Sequence, residues 1–210
     1  MSGTLEAYYR FHAGIYDLTR WSFLFGRAGV IDLLSSIASP RRILEVGCGT
    51  GRNLMKLART FPEARVTGLD LSADMLRRAQ NKTHAMADRI QLVHQAYNGP
   101  MAPGTFDVVL FSYSLSMINP GWETAVQAAR EDLRPGGRIA VVDFHDSPFS
   151  GFRSWMGVNH VRMEGHLLPG LRSAFQTETF AIRCGYVGLW RYLVFIGVKR
   201  DSPSRATFGR

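Results

Sequence analysis

The sequence of 210 residues has few cysteines and no long run of apolar residues. Its two cysteines, Cys48 and Cys184, do not form a C-x-x-C pair, so we expect neither a structural disulfide nor a metal site. A helix that crosses a membrane needs roughly 18–20 consecutive apolar residues, and no segment has them. The first ten residues also lack the basic and then apolar order of a signal peptide. We therefore expect a cytoplasmic protein, peripheral to a membrane rather than embedded in one.

Acidic residues are outnumbered, because 17 aspartates and glutamates stand against 25 lysines and arginines. The resulting formal net charge of +8 favours partners such as nucleic acid or anionic lipid surfaces. A basic surface that contacts only solvent explains the charge equally well. Hydrophobic residues make up 46% of the chain, which is enough for the core of one α/β domain.

Short β-rich segments alternate with helical patterns from residue 41 to residue 144, which predicts a parallel sheet built from crossover units. The predicted strands are Arg42–Val46, Arg65–Asp70, Ile90–His94, Phe106–Phe111 and Arg138–Phe144. The predicted helices between them are Asn53–Phe61, Ala73–Met86 and Trp122–Leu133, with Ser72 as the N-cap of the second. Two later segments, Glu178–Cys184 and Trp190–Lys199, predict a final antiparallel pair.

The most informative segment is 43–51, where a predicted buried strand carries Glu45 near its end and leads into a turn with three glycines. Glycines let the backbone turn tightly and expose its N–H groups to a ligand. A dinucleotide fingerprint, G-x-G-x-x-G, needs a small residue where this chain has Arg52. An acid at the strand end also disfavours a pyrophosphate. A cofactor that carries an ammonium and ribose hydroxyls suits this segment better.

This segment resembles motif I of the class I S-adenosylmethionine (SAM) methyltransferases, E-x-G-x-G-x-G. The resemblance implies SAM as the cofactor and a Rossmann-like α/β fold, with a mostly parallel seven-stranded sheet, a terminal antiparallel hairpin and an N-terminal helical cap. Residues 1–200 then form a single methyltransferase domain. Within it, 1–40 are the helical cap, 41–144 the SAM-binding half and 145–200 a substrate lid with the final hairpin, while 201–210 are a tail.

Asp70 ends the second predicted strand, and ligands of open α/β sheets lie at the carboxyl ends of the strands. Its carboxylate would accept both ribose hydroxyls, although it could instead only cap the next helix. Ala96 and Tyr97 follow the third strand, where methyltransferases present residues to the adenine, although Tyr97 could equally belong to the core. The predicted cofactor contacts are Tyr16, Arg20, Glu45, Gly47, Gly49, Gly51, Asp70, Leu71, Ala96, Tyr97 and Ser112.

The end of the fourth predicted strand argues against two branches of the methyltransferases. Enzymes that methylate DNA bases or glutamine carry an Asn/Asp-Pro-Pro-aromatic tetrapeptide directly there, whereas this chain has Ser112-Tyr113-Ser114. The related Asn119-Pro120-Gly121-Trp122 comes too late in the chain and fits the start of a helix. We therefore expect no nucleic-acid partner.

Residues 1–40 predict two helices, about 4–20 and 26–38, that are dense in aromatic residues. The string from Tyr16 to Arg27, Tyr-Asp-x-Thr-Arg-Trp-x-Phe-Leu-Phe-Gly-Arg, resembles the methyltransferase that completes betaine-lipid synthesis by trimethylating the amino group of diacylglycerylhomoserine. The resemblance implies that Tyr16 and Arg20 lie with Glu45 at the methionine end of SAM. The alternatives are a phosphatidylethanolamine N-methyltransferase, an enzyme of ornithine lipids or quinones, a basic nucleic-acid-binding module and a nicotinamide-dependent reductase.

Methyl transfer to an amine requires a neutral nitrogen, because an ammonium has no lone pair with which to attack. His145 follows the fifth predicted strand and could take the proton, although it could equally be a loop histidine bonded to the backbone. Tyr9 and Tyr16 are the other predicted catalytic residues, since aromatic rings accommodate a methylated ammonium by cation–π contact.

Two segments, 5–27 and 149–168, combine large aromatic residues with arginines and predict contact with an anionic membrane surface that holds the lipid amine. The alternative for the second segment is an ordinary insertion that packs on the sheet. One helix face at headgroup level is predicted from four of its residues: Phe149, Phe152, Trp155 and Met156. The oligomeric state is left open.

Overall fold

A seven-stranded sheet runs through the part of the chain that the structure, a computed structural model, describes: residues 24–158 and 160–200. Its strands are β1 (Arg42–Val46), β2 (Arg65–Asp70), β3 (Ile90–His94), β4 (Phe106–Ser112), β5 (Leu133–Asp146), β6 (Gln176–Gly185) and β7 (Trp190–Val198). The α-helices of the described part are α1 (Arg27–Ile37), α2 (Arg52–Thr60), α3 (Ala73–Thr83), α4 (Trp122–Asp132), α5 (Ser150–Val158) and α6 (Leu167–Ala174). The cap helix predicted at about 4–20 lies outside the described residues.

The strands are arranged in the order β3-β2-β1-β4-β5-β7-β6. β1 to β5 pair in parallel, whereas β7 is antiparallel to both β5 and β6. This arrangement confirms the predicted fold class. Because β1 lies between β2 and β4, the sheet changes direction of winding beside β1, and ligands of open α/β sheets bind at the carboxyl ends of the strands at that point.

Helices cover both faces of the sheet, because neighbouring residues of each central strand point to opposite faces and both sets are apolar. Ile43 of β1 packs in one buried cluster with Leu34 of α1 and Leu57 of α2. Leu44, the next residue, packs in the other cluster with Trp122 of α4. The sheet is therefore buried on both sides, and its carboxyl edge is where ligands can enter.

The element ends agree with the predictions to within one residue except at α3, β5 and β6: α3 ends at Thr83 and a 3-10 turn follows at His84–Met86, and β6 begins two residues early, at Gln176. The Ser72 hydroxyl accepts a hydrogen bond from the Met75 N–H at 3.3 Å, as predicted for an N-cap. β5 begins earlier than predicted, because Leu133 already pairs with Phe106 of β4. The register then shifts before regular pairing with β4 resumes, and Gly136 in this stretch has a φ of 72°.

The helix face predicted for 149–156 is wrong in its details. Phe152 and Met156, four residues apart in α5, point inwards: Met156 is 3% exposed and the Phe152 ring stacks on Trp190 at 5.7 Å. Trp155 is exposed although it lies three residues after Phe152 and its ring is 5.8 Å from the Phe152 ring, so it lies at the edge of the buried side. Phe149 is also exposed, and it precedes the first residue of α5. No helix in the described part of the chain is long and apolar enough to cross a membrane.

Candidate functional site

The glycine turn after β1 has three glycines with left-handed backbones, and each has a different neighbour. Their φ values are 73° at Gly47, 54° at Gly49 and 75° at Gly51. A Cβ at Gly47 would lie 2.7 Å from Ser114, and one at Gly51 would lie 3.1 Å from Ala79, so both glycines allow close packing within the protein. A Cβ at Gly49 would meet no atom within 4 Å. Gly49 therefore faces the open space in which a cofactor would lie.

Asp70 holds this turn in place from the end of β2. Its Oδ2 accepts a hydrogen bond from the Gly49 N–H at 2.7 Å, and its Oδ1 accepts one from the Ser72 N–H at 2.9 Å. A carboxylate offers about four acceptor positions, so two remain for a pair of ribose hydroxyls. The side chain of Leu71, the next residue, is 71% exposed at the rim of this site.

Glu45 is completely buried on β1, and its Oε1 accepts a hydrogen bond from Asn53 Nδ2 at 2.7 Å. Burial raises the pKa of Glu45 to about 7, opposed by the nearby Arg27 charge and by the Asn53 hydrogen bond. Its Oε2 is buried and finds no hydrogen-bond donor among the described residues. An ammonium such as that of SAM would satisfy this oxygen and keep the carboxylate ionised, so the residues fit the predicted cofactor.

Two residues of this site were not predicted, namely Arg27 and Asn53. Arg27 opens α1, and its Nε donates to the buried Ser112 Oγ at 3.0 Å, which connects the cap to the end of β4. Asn53 is a buried amide in the first turn of α2. An amide that directly follows a glycine turn was a signal for a polar site. The position of Arg27 depends on tertiary packing, which no local pattern reveals.

Of the two residues after β3, Ala96 is half-buried, whereas Tyr97 belongs to the core. The Tyr97 ring is 8% exposed and lies 6.1 Å from the ring of Phe111. Its hydroxyl donates to Oδ2 of the buried Asp132 at 2.8 Å. Burial, together with the Asp132 charge, raises the pKa of Tyr97. The structure therefore places Tyr97 as the core alternative does, and its ring is engaged away from the expected adenine contact.

His145 lies near the carboxyl end of β5 and is half-buried. Its Nδ1 is buried without a hydrogen-bond partner among the described residues, and a Cβ at Gly165 would lie 3.2 Å from its Cε1. Burial lowers the pKa of His145, Asp146 opposes this change and Arg191 reinforces it. The imidazole is therefore neutral at pH 7, which a proton acceptor requires.

Asp143, also unpredicted, fixes the loop after β4 from β5. It is fully buried, and its carboxylate accepts hydrogen bonds from the Phe144 N–H at 2.8 Å and the Ser116 N–H at 3.2 Å. Burial raises the pKa of Asp143 to about 6, and these hydrogen bonds oppose the rise. Three acids, Glu45, Asp70 and Asp143, thus lie near the carboxyl ends of three strands. The predicted contacts Tyr9, Tyr16 and Arg20 lie outside the described residues.

We expect Gly49→Leu to lower SAM affinity at least tenfold, because the new side chain enters the open space above the turn. Asp70→Asn should have a similar effect, since loss of charge weakens the pairing with ribose, and tenfold corresponds to about 1.4 kcal/mol. Isothermal titration calorimetry measures both changes. Gly104→Leu is the control, because Gly104 has a comparable φ of 67° and open surroundings but lies in a remote turn. Unchanged SAM affinity in both site variants, with binding of NADH, would contradict the cofactor assignment.

Comparison with known proteins shows which domains this site is similar to. Residues 43–137 match a family model described as a methyltransferase domain. The chain is 33% identical over 136 residues to a ubiquinone/menaquinone biosynthesis C-methyltransferase of Syntrophotalea carbinolica, covering 61% of this chain and 56% of that protein. It is 31% identical over 164 residues to a malonyl-[acyl-carrier protein] O-methyltransferase of Hahella chejuensis, covering 78% and 57%. The chain thus spans little more than half the length of these relatives.

The fold agrees with that of a solved N-methyltransferase, NodS from Bradyrhizobium japonicum in complex with S-adenosyl-L-homocysteine. The TM-score is 0.71 at 20% sequence identity, over 83% of this chain and 86% of that one. At this identity the likeness concerns the fold. The sequence match at 43–137 is to a methyltransferase domain, and it covers the glycine turn, Asp70 and the end of β4. In sequence, residues 43–137 are thus similar to a methyltransferase domain, and the described part of the chain shares the fold of a solved methyltransferase.

Proposed function

We propose that the protein is a SAM-dependent N-methyltransferase that acts on the amine of a membrane lipid. The substrate would be diacylglycerylhomoserine, methylated in successive steps to the trimethylated betaine lipid. The string at 16–27 supports this head group by its resemblance to betaine-lipid enzymes. The observation that carries the lipid assignment is an exposed apolar surface beside the strand end that bears His145.

This surface, which we call the apolar rim, consists of side chains from α5 and its start and from the turn between β6 and β7. Their exposed fractions are 55% at Phe149, 47% at Trp155, 80% at Val158, 48% at Tyr186 and 109% at Val187. Large apolar side chains grouped on a surface are typical of protein or membrane contact sites. Tyr186 and Val187 also have positive φ values, 40° and 55°, which hold the tip of the turn outwards.

The two parts of the apolar rim are joined beneath their exposed side chains. The Trp190 ring lies 4.9 Å from Tyr186 and 5.7 Å from Phe152 of α5. The Ser147 hydroxyl, just after β5, donates to the Leu189 carbonyl at 2.6 Å. A lipid held at this surface would therefore present its head group near the end of β5, where His145 lies.

Arginines near the apolar rim suit an anionic bilayer. Arg153 lies in α5 between the exposed aromatics, Arg183 is exposed on β6 and Arg191 pairs with Asp146 at the start of β7. Basic side chains close to an anionic membrane each contribute about 1 kcal/mol of binding free energy. A lipid cannot leave the bilayer cheaply, because each CH₂ moved into water costs about 0.8 kcal/mol. The enzyme would instead bring its site to the surface.

The site residues have separable tasks in such a reaction. Bound SAM supplies an electrophilic methyl group on a sulfonium. Glu45 and Asp70 would orient the donor, and alignment of this kind can supply several kcal/mol of the barrier reduction. The neutral His145 imidazole would accept the proton that the amine must lose to attack the methyl carbon. Because an amine loses one proton per methyl gained up to the tertiary stage, one base can serve successive transfers.

The alternative functions differ from this proposal in the methyl acceptor or in the class of protein. A phosphatidylethanolamine N-methyltransferase would use the same surface and the same base. A quinone C-methyltransferase is the second candidate, favoured by the 33% identity to a ubiquinone/menaquinone enzyme. The methyltransferase-domain match argues against a nucleic-acid-binding module without SAM and against a nicotinamide-dependent reductase.

An acceptor panel tests the proposal. The full chain is incubated with methyl-labelled SAM and vesicles that contain diacylglycerylhomoserine, phosphatidylethanolamine or a demethylated quinone. We expect label in the homoserine lipid, with mono-, di- and trimethylated products resolved by mass spectrometry. Label confined to phosphatidylethanolamine would correct the head group, and label confined to the quinone would replace nitrogen by carbon as the acceptor atom. Label in none of them would remove the lipid assignment.

We expect His145→Gln to lower turnover at least tenfold while SAM affinity stays at the parent value, because general-base catalysis contributes about 10²–10⁴ in rate. Burial lowers the pKa of His145, so parent turnover should fall only below the pH at which an ordinary histidine protonates. The pKa of His145 is lower in the folded protein than in the unfolded chain. The contribution of the neutral ring to the free energy of unfolding is therefore complete above the unfolded-state pKa, and it is lost as the pH falls through the folded-state pKa. The exposed His84 supplies the control, His84→Gln. An active His145→Gln variant with the parent pH profile would exclude His145 as the base.

We expect the double variant Phe149→Ala/Trp155→Ala to bind anionic vesicles at least tenfold more weakly than the parent. Burying a large apolar side chain contributes roughly 1.5–3 kcal/mol. If each of the two side chains contributes half of that on binding, the loss for the pair exceeds the about 1.4 kcal/mol that corresponds to a tenfold change in affinity. Vesicle sedimentation at increasing phosphatidylglycerol content and salt measures the effect. Phe180→Ala on the edge strand β6, a residue 43% exposed, is the control. Equal binding by the parent and the double variant would mean that 149–168 is only an insertion packed on the sheet.

A further inference from the structure

A second concave surface lies between the start of α1, α2 and the end of α3. It is a cavity of about 860 Å³. Five of its lining residues are cationic, and we call this surface the basic cleft: Arg27, Arg52, Lys56, Arg59 and Lys82. Among the residues of 24–158 and 160–200 that line it, none is acidic.

The cations of the basic cleft are close enough to affect one another. Burial lowers the pKa of Lys82, and the charges of Arg52 and Arg27 lower it further. One carboxylate offsets part of the charge, since Lys56 Nζ lies 2.7 Å from an Asp32 carboxylate oxygen. Five of the described residues that line the cleft carry a positive charge, and cations grouped in a concave surface attract anions from solution.

Part of this arrangement does not stabilise α2, the helix that carries three of these cations, although Arg59 in its last turn suits the helix dipole. Arg52, Lys56 and Arg59 follow one another at spacings of four and three on α2, where like charges repel. Arg52 is also the first residue of α2, a position at which the helix dipole favours an acid, and the first turn has no acidic residue. Residues that lower the local stability of the fold are expected at functional sites.

The basic cleft adjoins the cofactor site and shares Arg27 and Asn53 with it. Lys82 Nζ lies 3.4 Å from the Thr50 hydroxyl in the glycine turn, and Arg27 bonds to Ser112 at the end of β4. Arg59 and Thr60, by contrast, line the cleft at the far end of α2. Most of the cleft thus extends away from Gly49 along the outer side of α2.

We propose that the basic cleft binds a phosphoryl group with at least two negative charges, beside the bound cofactor. Guanidinium groups pair with phosphoryl oxygens through two parallel N–H bonds, and lysine ammonium groups add point charges. The group could belong to a soluble anion or to the headgroup of an anionic lipid. The proposal does not depend on the amine acceptor argued above, because it concerns the charge lining the cavity and not the residues at the end of β5.

The experiment measures binding of inorganic pyrophosphate to the full chain by calorimetry at low salt, with and without saturating SAM. We expect saturable binding that persists with SAM and weakens as salt rises. Arg59→Glu should weaken binding at least tenfold. Arg65→Glu, which makes the same charge change at the exposed start of β2, should weaken it less than twofold. Thermal melting confirms that both variants are folded.

A second arm distinguishes the two sources of the phosphoryl group. Sedimentation with phosphatidylglycerol vesicles should show the same contrast between Arg59→Glu and Arg65→Glu if a lipid headgroup enters the cleft, and no contrast if the ligand is a soluble anion. Three results would overturn the proposal. Equal weakening in both variants would indicate net charge alone, competition by SAM would assign the cations to the cofactor site, and no binding of either probe would leave the cleft without an anion.

Discussion

The hydrogen bond from the Gly49 N–H to the Asp70 carboxylate connects two strand ends that the chain separates by a whole crossover. It fixes the glycine turn after β1 against the end of β2. The second Asp70 oxygen accepts from the Ser72 N–H, and Ser72 in turn caps α3. The turn, the strand end and the next helix therefore share one carboxylate. A cofactor held by this carboxylate meets a backbone that is already in place, so less ordering is needed on binding.

Much of the fold follows from local pattern, because parallel strands buried on both faces are apolar and the turns between them need glycine or proline. The glycine turn and Asp70 were predicted for the same reason, since they lie where the sequence changes from strand to helix. The surroundings of Tyr97 and Met156 could not be predicted because they come from distant segments: Asp132 accepts a hydrogen bond from the Tyr97 hydroxyl, and Met156 joins a cluster with residues of β7. The positions of aromatic residues in the sequence do not show which side of a helix faces the sheet.

Negative charge is buried near the cofactor site, whereas the chain as a whole is positively charged. Glu45 and Asp143 are fully buried in a chain with a net charge of +8, and burial raises the pKa of each carboxyl to about 7 and about 6. A cation bound beside them would lower these pKa values, because the ionised carboxylate is stabilised by an opposite charge. By linkage, binding of a cationic cofactor should strengthen as pH rises through 6 to 7. The buried carboxylates would therefore favour a cation, and the net positive charge of the chain favours anionic partners.

The two proposed binding surfaces both adjoin the start of α1, since Phe25 lies 5.3 Å from Tyr186 of the apolar rim and Arg27 lines the basic cleft. Their chemistry differs. The apolar rim near the end of β5 presents aromatic side chains with arginines among them, which suits an acyl chain and its interface. The basic cleft beside α2 is lined by cations, which suits a phosphoryl group. Arg27 joins the two regions, because it lines the cleft and also bonds to Ser112 at the end of β4, next to β5 in the sheet. The Arg27 charge opposes the rise in the Glu45 pKa. An anion in the cleft would offset this charge and so raise the Glu45 pKa further. Occupancy of one surface can therefore change the charge state at the cofactor site without any movement of the backbone.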